Sequence, residues 1–173
     1  MGPESTGKTT LARQLAAHYN TAYVPEYMRT YFEKEVVRIP FQSKLEDILP
    51  IAEGQMKSEN LALQTANELL FCDTNLLEIA CYSSYYFGEI PELLMNSLEN
   101  MHYDLYFLTY IDVPWQKDDL RDRPKDREKL FSIFRESLRE RDIPHLVLCG
   151  NEPERLQIAI QEIEKHRKKL HGI

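Results

Sequence analysis

The ten residues Met1-Gly2-Pro3-Glu4-Ser5-Thr6-Gly7-Lys8-Thr9-Thr10 constrain this chain more than any other stretch. Gly2, Gly7, Lys8 and Thr9 satisfy G-x-x-x-x-G-K-[ST], the pattern of a phosphate-binding P-loop. Two glycines let the backbone curl until successive N–H groups point inward, and the helix that follows adds the positive end of its dipole. Gly2, Ser5, Thr6, Gly7, Lys8, Thr9 and Thr10 are therefore expected to cradle a polyphosphate. Lys8 would reach the β- and γ-phosphates, and the Thr9 hydroxyl is placed to ligate Mg²⁺. An apolar helical pattern begins at once, which a chance glycine turn would not require.

A P-loop ordinarily follows a buried β-strand, and here only Met1 precedes Gly2. The sheet is accordingly expected to have an unfilled or substituted central position, between the strands ending at Cys72 and Ile111. Met1 to Thr6 would then be poorly anchored unless Met1 is drawn into the gap.

Along the rest of the chain, helical and strand patterns alternate. Leu11, Leu15, Ala16 and Tyr19 share one helical face. Ala22 to Val24 is a short strand closed by Pro25, and Glu26 to Glu33 reads as a helix. A long helical stretch runs from about Lys44 to Asn67, with Pro50 at a break. Leu69 to Cys72 reads as a strand buried on both faces and ended by Asp73 and Thr74. Helices follow over Asn75 to Tyr86 and Pro91 to Met101, then a strand over Leu105 to Ile111. Val113 to Arg127, rich in charge and carrying Pro114 and Pro124, is expected to be a mobile segment. Glu128 to Arg141 is an amphipathic helix, His145 to Cys149 a strand, and Pro153 to Leu170 a final helix. This order predicts an α/β fold, a P-loop NTPase-like parallel sheet sandwiched by helices, in one domain spanning residues 1–173.

The net charge of −7 argues against a nucleic-acid partner, since that binding rests on clustered Lys and Arg. No run of roughly 18 apolar residues suggests a membrane span, and no signal peptide is recognisable. Cys72, Cys81 and Cys149 have no metal-ligand spacing and read as reduced thiols of a cytoplasmic protein. The five histidines form no metal spacing either. The expected partner is a small molecule, and the oligomeric state is not legible.

Asp73 stands at the carboxyl end of a buried strand, the ligand-binding edge of an α/β sheet. It could organise Mg²⁺, take the proton of an attacking hydroxyl, or simply cap the next helix. Glu26 occupies the equivalent place after the preceding strand, with Arg29 one turn on. It could bind sugar hydroxyls, replace Asp73 as the base, or merely pair with Arg29. The Val113 to Arg127 segment carries Trp115, Asp118, Arg121, Arg123 and Arg127. Guanidinium groups on a lid would compensate charge in phosphoryl transfer, and Trp115 could stack on a flat ligand. Lys8, Asp73, Arg121 and Arg123 form the expected catalytic set.

Several stretches together resemble the nicotinamide riboside kinase domain of NadR-type proteins, a P-loop kinase family. They are Gly2 to Thr10, Glu26-Tyr27-Met28-Arg29-Thr30-Tyr31, Asp73-Thr74-Asn75, Tyr86-Phe87-Gly88, and Pro114-Trp115 with Asp118, Leu120 and Arg121. The resemblance implies ATP-dependent transfer of a phosphoryl group to the 5′-hydroxyl of nicotinamide riboside, giving nicotinamide mononucleotide. It implies that Asp73 faces that hydroxyl and Mg²⁺, that Tyr86 lies near the nicotinamide, and that Arg121 belongs to the lid. Glu26, Tyr27, Arg29, Asp73, Tyr86 and Trp115 are the expected substrate contacts. One position departs from the family: Pro25 stands where well-known members carry a tryptophan that stacks on the ring.

The expectation is thus an ATP- and Mg²⁺-dependent kinase of a riboside in NAD biosynthesis. The competing expectation is a nucleotide-binding switch ATPase with no small-molecule acceptor, signalling through Val113 to Arg127.

Overall fold

In the computed structural model, residues 1–34, 43–116 and 124–172 are described. The helix after the phosphate loop, α1 (Lys8–His18), buries Leu11, Ala12, Leu15 and Ala16, a spacing that puts one apolar stripe inward. β1 (Tyr23–Val24) stops before Pro25, which has no N–H to extend a ladder. α2 (Tyr27–Lys34) and α3 (Leu45–Leu63) follow. The break expected at Pro50 is absent, and α3 runs through it. Pro50 and Glu46 are both exposed, so the carbonyl that loses its helical partner can bond to water instead.

The second half holds β2 (Phe71–Cys72), α4 (Leu76–Phe87), α5 (Glu92–Glu99), β3 (Tyr106–Thr109), α6 (Arg127–Glu140), β4 (His145–Leu148) and α7 (Glu152–His171). Gly88 closes α4 at φ 70, the left-handed conformation that a glycine adopts without strain. Asn151 opens α7 with a capping box to Glu154.

The strands form two parallel pairs. β1 pairs with β2, with Val24 opposite Cys72. β3 pairs with β4 from Tyr106 opposite His145 to Thr109 opposite Leu148. Met1 is joined to β3 as a strand residue would be. Its nitrogen donates to Phe107 O at 2.9 Å, and its carbonyl accepts from Thr109 N at 3.0 Å. Met1 is therefore drawn in against β3, as the expectation allowed. β2 is shorter and less buried than the expected strand over Leu69 to Cys72, since Phe71 and Cys72 are only half-buried. The hydroxyl of Thr21 donates to the Leu69 carbonyl at 2.5 Å, and Asn67 bridges to Leu69. The residues before Phe71 are thereby spent on a loop.

Alternation along β3 and β4 sets the layers. Phe107, Leu146 and Leu148 face Leu11 and Leu15 of α1 with Ala159 and Ile163 of α7. Tyr106, Leu108 and Val147 face Leu77 and Cys81 of α4 with Leu130, Phe134 and Leu138 of α6. Successive side chains of a strand point to opposite faces, so this pair is sandwiched between helices as the sequence predicts. A third cluster, of Tyr31, Phe32, Ile48, Ile51, Leu76, Ile79 and Leu94, ties α2 and α3 to α4 and α5. Among the described residues no helix is long and apolar enough to cross a membrane.

Candidate active site

The phosphate loop is held from several sides. Gly2 has φ 148, and a Cβ there would lie 2.3 Å from Thr109 Oγ1 and 2.9 Å from Thr109 O, so only glycine can pass so close to β3. Ser5 and Gly7 also take positive φ values, 55 and 82. Thr6 is 1% exposed, donates to Pro3 O at 2.7 Å and shares a 2.7 Å hydrogen bond with Thr109 Oγ1. Met1 is drawn in, and with it Met1 to Thr6 are anchored, the exception the expectation allowed: Thr109 engages both Met1 and Thr6. The first turn of α1 has neither a side-chain cap nor an acidic residue. Its orphan N–H groups and dipole remain available to an anion.

Lys8 Nζ donates to Gly2 O at 2.6 Å and Pro3 O at 3.1 Å, and pairs with Glu78 Oε1 at 3.2 Å. Burial alone would lower the Lys8 pKa. The negative charges of Glu78, Glu26 and Asp73 outweigh it, so the pKa is raised and the ammonium stays charged.

Asp73 is 3% exposed, and its Oδ2 accepts from Thr9 Oγ1 at 2.5 Å. Its Oδ1 is buried with no hydrogen-bond partner. A buried, half-satisfied carboxylate beside a hydroxyl is an incomplete set of hard oxygen ligands, which suits a cation that also takes oxygens from phosphate. Among the described residues no three His, Cys, Asp or Glu side chains are grouped as a metal cage. Thr9 and Asp73 could thus hold Mg²⁺ only together with a phosphate ligand. Asp73 does not cap the next helix. That part is taken by Asn75, whose Oδ1 accepts from Glu78 N at 2.9 Å.

A cavity of about 500 Å³ runs from the phosphate loop to Glu26 and Arg29. Met28, Ile48, Ile51, Tyr82, Tyr86 and Phe87 line its apolar part, and Tyr82 stacks on Tyr86 at 6.0 Å. The Glu26 carboxyl is pushed up to about 7, first by burial and then by the like charges of Asp73 and Glu78, against the pull of Lys8 and Arg29. Arg29 Nε lies 3.6 Å from Glu26 Oε2. A site that carries an anion cradle, a candidate metal pair and a carboxyl poised near neutrality can bind a polyphosphate and accept a proton from a hydroxyl.

Other expected residues lie elsewhere. The Tyr27 ring packs over Gly54 of α3 and does not line the cavity. Trp115 is half-buried, its indole N–H donates to Glu4 Oε1 at 3.0 Å, and it too is absent from the cavity wall. Arg121 and Arg123, with Asp118 and Leu120, fall outside the described residues. Arg127, read from sequence as part of the lid, opens α6 and donates to Ser5 O at 3.1 Å and Val113 O at 3.0 Å, bracing the phosphate loop.

Three residues in or beside the site are not legible as such in the sequence. Glu78 is a lone acid in the apolar run Leu76 to Cys81, and that isolation is the one signal that could have found it. Arg155 is 4% exposed and ties the carbonyls of Thr6, Tyr110 and Gly150 together with the Asp112 carboxylate. Gln55 is wholly buried in α3. Nothing local distinguishes either from ordinary helix polar residues.

Against known proteins, the family described as AAA_28, an AAA domain, matches residues 1–155. The trifunctional NAD biosynthesis/regulator protein NadR of Escherichia coli (strain K12) is 28% identical over 145 residues, 83% of this chain and 35% of NadR. The chain therefore spans about a third of that relative's length. A structure of NadR protein in complex with NR superposes with a TM-score of 0.81 at 22% identity, over 96% of this chain and 48% of that one. NadR in complex with NAD and AMP-PNP gives 0.80 at the same identity and coverage. At that identity the superposition speaks for the fold, an α/β P-loop domain.

Proposed function

The chain belongs to the AAA_28 (AAA domain) family, and on that premise we propose that it is an ATP-dependent kinase of a riboside, nicotinamide riboside first, making nicotinamide mononucleotide. Its relatedness to NadR, whose structures hold NR and AMP-PNP, supports this reading. The observation that carries it is the continuity of one cavity from the phosphate loop to Glu26 and the Tyr82–Tyr86 stack. Donor phosphates and a flat-ringed acceptor can share that space.

In this reading residues 1–173 act as one kinase domain. The amides of Ser5 to Thr10 and the Lys8 ammonium hold the β- and γ-phosphates. When Lys8 turns to them, phosphate oxygens replace the carbonyls of Gly2 and Pro3 as its acceptors. We assign Thr9 and Asp73 to Mg²⁺, which when bound neutralises phosphate charge. Asp73 is committed to Thr9, whereas Glu26 faces the cavity with its carboxyl near neutrality. Glu26 is therefore our choice for the group that takes the proton of the 5′-hydroxyl, and Asp73 for the metal organiser. Tyr86, with Tyr82, forms the wall against which the acceptor ring lies, and Arg29 orients Glu26. Arg121 and Arg123 we assign to closure over the phosphates. The apolar wall and the acidic set Glu26, Asp73 and Glu78 speak for a small acceptor rather than a nucleic acid. We place the enzyme in the cytoplasm, in keeping with its free thiols Cys72, Cys81 and Cys149.

Coupled ADP release with a riboside panel tests the reading. Stimulation by nicotinamide riboside is expected. Slow ATP hydrolysis that no riboside accelerates would overturn it in favour of a switch ATPase.

A further inference from the structure

Beneath the two carboxylates lies a side chain that neither the phosphate loop nor the cavity uses. Gln55 of α3 is 0% exposed. Its Oε1 accepts from Tyr27 N at 3.0 Å, and its Nε2 donates to Glu59 Oε1 at 3.0 Å and to Thr74 O at 3.5 Å. Tyr27 directly follows Glu26, and Thr74 directly follows Asp73. One amide thus bonds the backbone just after each carboxylate, across the turns that leave β1 and β2.

The turn after Asp73 needs such a hold. Thr74 has φ 87, a conformation that β-branched residues rarely adopt, and its Oγ1 is buried without a partner. The Gln55 amide is itself oriented. A carboxylate only accepts, so Glu59 fixes which end of the amide faces it, leaving Oε1 for the Tyr27 N–H. Glu59 is 7% exposed, and its other oxygen accepts from the Tyr103 hydroxyl at 2.8 Å. Every member of the chain Tyr103–Glu59–Gln55 is bonded, the condition under which a buried polar network specifies one geometry.

We propose that Gln55 is a positioning residue of this site: its amide, oriented by Glu59 and Tyr103, holds Thr74 in its left-handed conformation and sets the separation of Asp73 from Glu26. The structural part stands on geometry alone, and its consequence for nucleotide binding rests on the proposed kinase reading.

Two measurements test it. Without any nucleotide, a crystal structure of Gln55→Leu is expected to show Thr74 relaxed to negative φ and the Thr9–Asp73 hydrogen bond broken. Unchanged Thr74 and Asp73 geometry would overturn the proposal. With nucleotide, AMP-PNP affinity is titrated with and without Mg²⁺. Gln55→Leu is expected to lose about tenfold of the Mg²⁺-dependent gain, as changes to the groups that orient metal ligands do, with Mg²⁺-free affinity within about twofold of wild type. Tyr103→Phe is expected to lose about threefold. Thr74→Gly, which accepts a positive φ without strain, should restore most of what Gln55→Leu removes, a rescue that a merely structural role would not produce. An unchanged Mg²⁺-dependent gain in folded Gln55→Leu overturns the proposal. If Gln55→Leu does not fold, the Tyr103→Phe result decides in the same way. If the wild type binds no AMP-PNP, the kinase reading fails and the nucleotide-free structure alone decides on Gln55.

Discussion

The Lys8 ammonium lies 3.2 Å from Glu78 Oε1, and the Glu78 side chain is 1% exposed. An acid from α4, itself closed to solvent, thus holds the lysine of the phosphate loop at the cavity wall. Removing one partner of such a pair leaves an uncompensated buried charge.

Glu78→Gln is therefore expected to destabilise the protein. Glu26 and Asp73 still face Lys8, so the loss should fall below that of a fully orphaned charge, at about 2 kcal/mol, or about 4–8 °C in melting temperature. A bound polyphosphate gives Lys8 a new partner. The deficit should accordingly shrink when melting is repeated with Mg·AMP-PNP, and a deficit independent of ligand would contradict the pairing.

Glu26 makes a pH-dependent contribution with a definite sign. Its carboxyl is raised from 4.5 to about 7, so the fold favours the neutral form. That stabilisation is fully present below about 4.5 and is lost as pH rises through 7. Wild-type stability should decline across this window more steeply than that of Glu26→Gln, as melting against pH would show. In the proposed reading Glu26 is the base, and activity should then move the other way, because a base must be ionised. The kcat/KM profile is expected to rise with a midpoint near 7, and Glu26→Gln to lower kcat by about 10²–10⁴-fold.

Gly54→Ala reverses an ordinary rule. Alanine in a helix interior gains about 1 kcal/mol over glycine. Here the new methyl carbon would lie 1.9 Å from Tyr27 Cε1 and 2.3 Å from Cδ1. Overpacking of this kind costs about 1–3 kcal/mol, so a net loss is expected on denaturant titration. In a Tyr27→Ala background the obstacle is gone, and the same substitution should turn stabilising. A gain in the wild-type background would show that the ring moves aside freely.

Arg155→Lys tests the knot at the carboxyl ends of β3 and β4. The guanidinium serves Thr6 O, Tyr110 O, Gly150 O and Asp112 at once, a planar fork that a lysine point charge cannot reproduce. A loss of about 2–3 kcal/mol is expected, since buried carbonyls are left unmatched. AMP-PNP affinity should fall with it, because the Thr6 carbonyl belongs to the phosphate loop. Unchanged affinity would place Arg155 outside the support of that loop.

The parts of this protein legible in its sequence are those whose cause is local. The spacing of Gly2, Gly7, Lys8 and Thr9 dictates a curled backbone whatever surrounds it. Asp73 and Glu26 could be placed at the sheet edge because each ends a β-prone run. The alternation of strand and helix patterns along the chain was enough to imply a parallel sheet with helices on both faces. By contrast, Glu78 meets Lys8, and Gln55 spans the turns after Glu26 and Asp73, only because the fold brings α4 and α3 beside them. Arg155 reaches Thr6 across most of the chain length for the same reason. A polar side chain in a helical pattern reads as a solvent-facing residue until the packing removes its solvent. Once buried, it must find a partner, and the tertiary structure decides which.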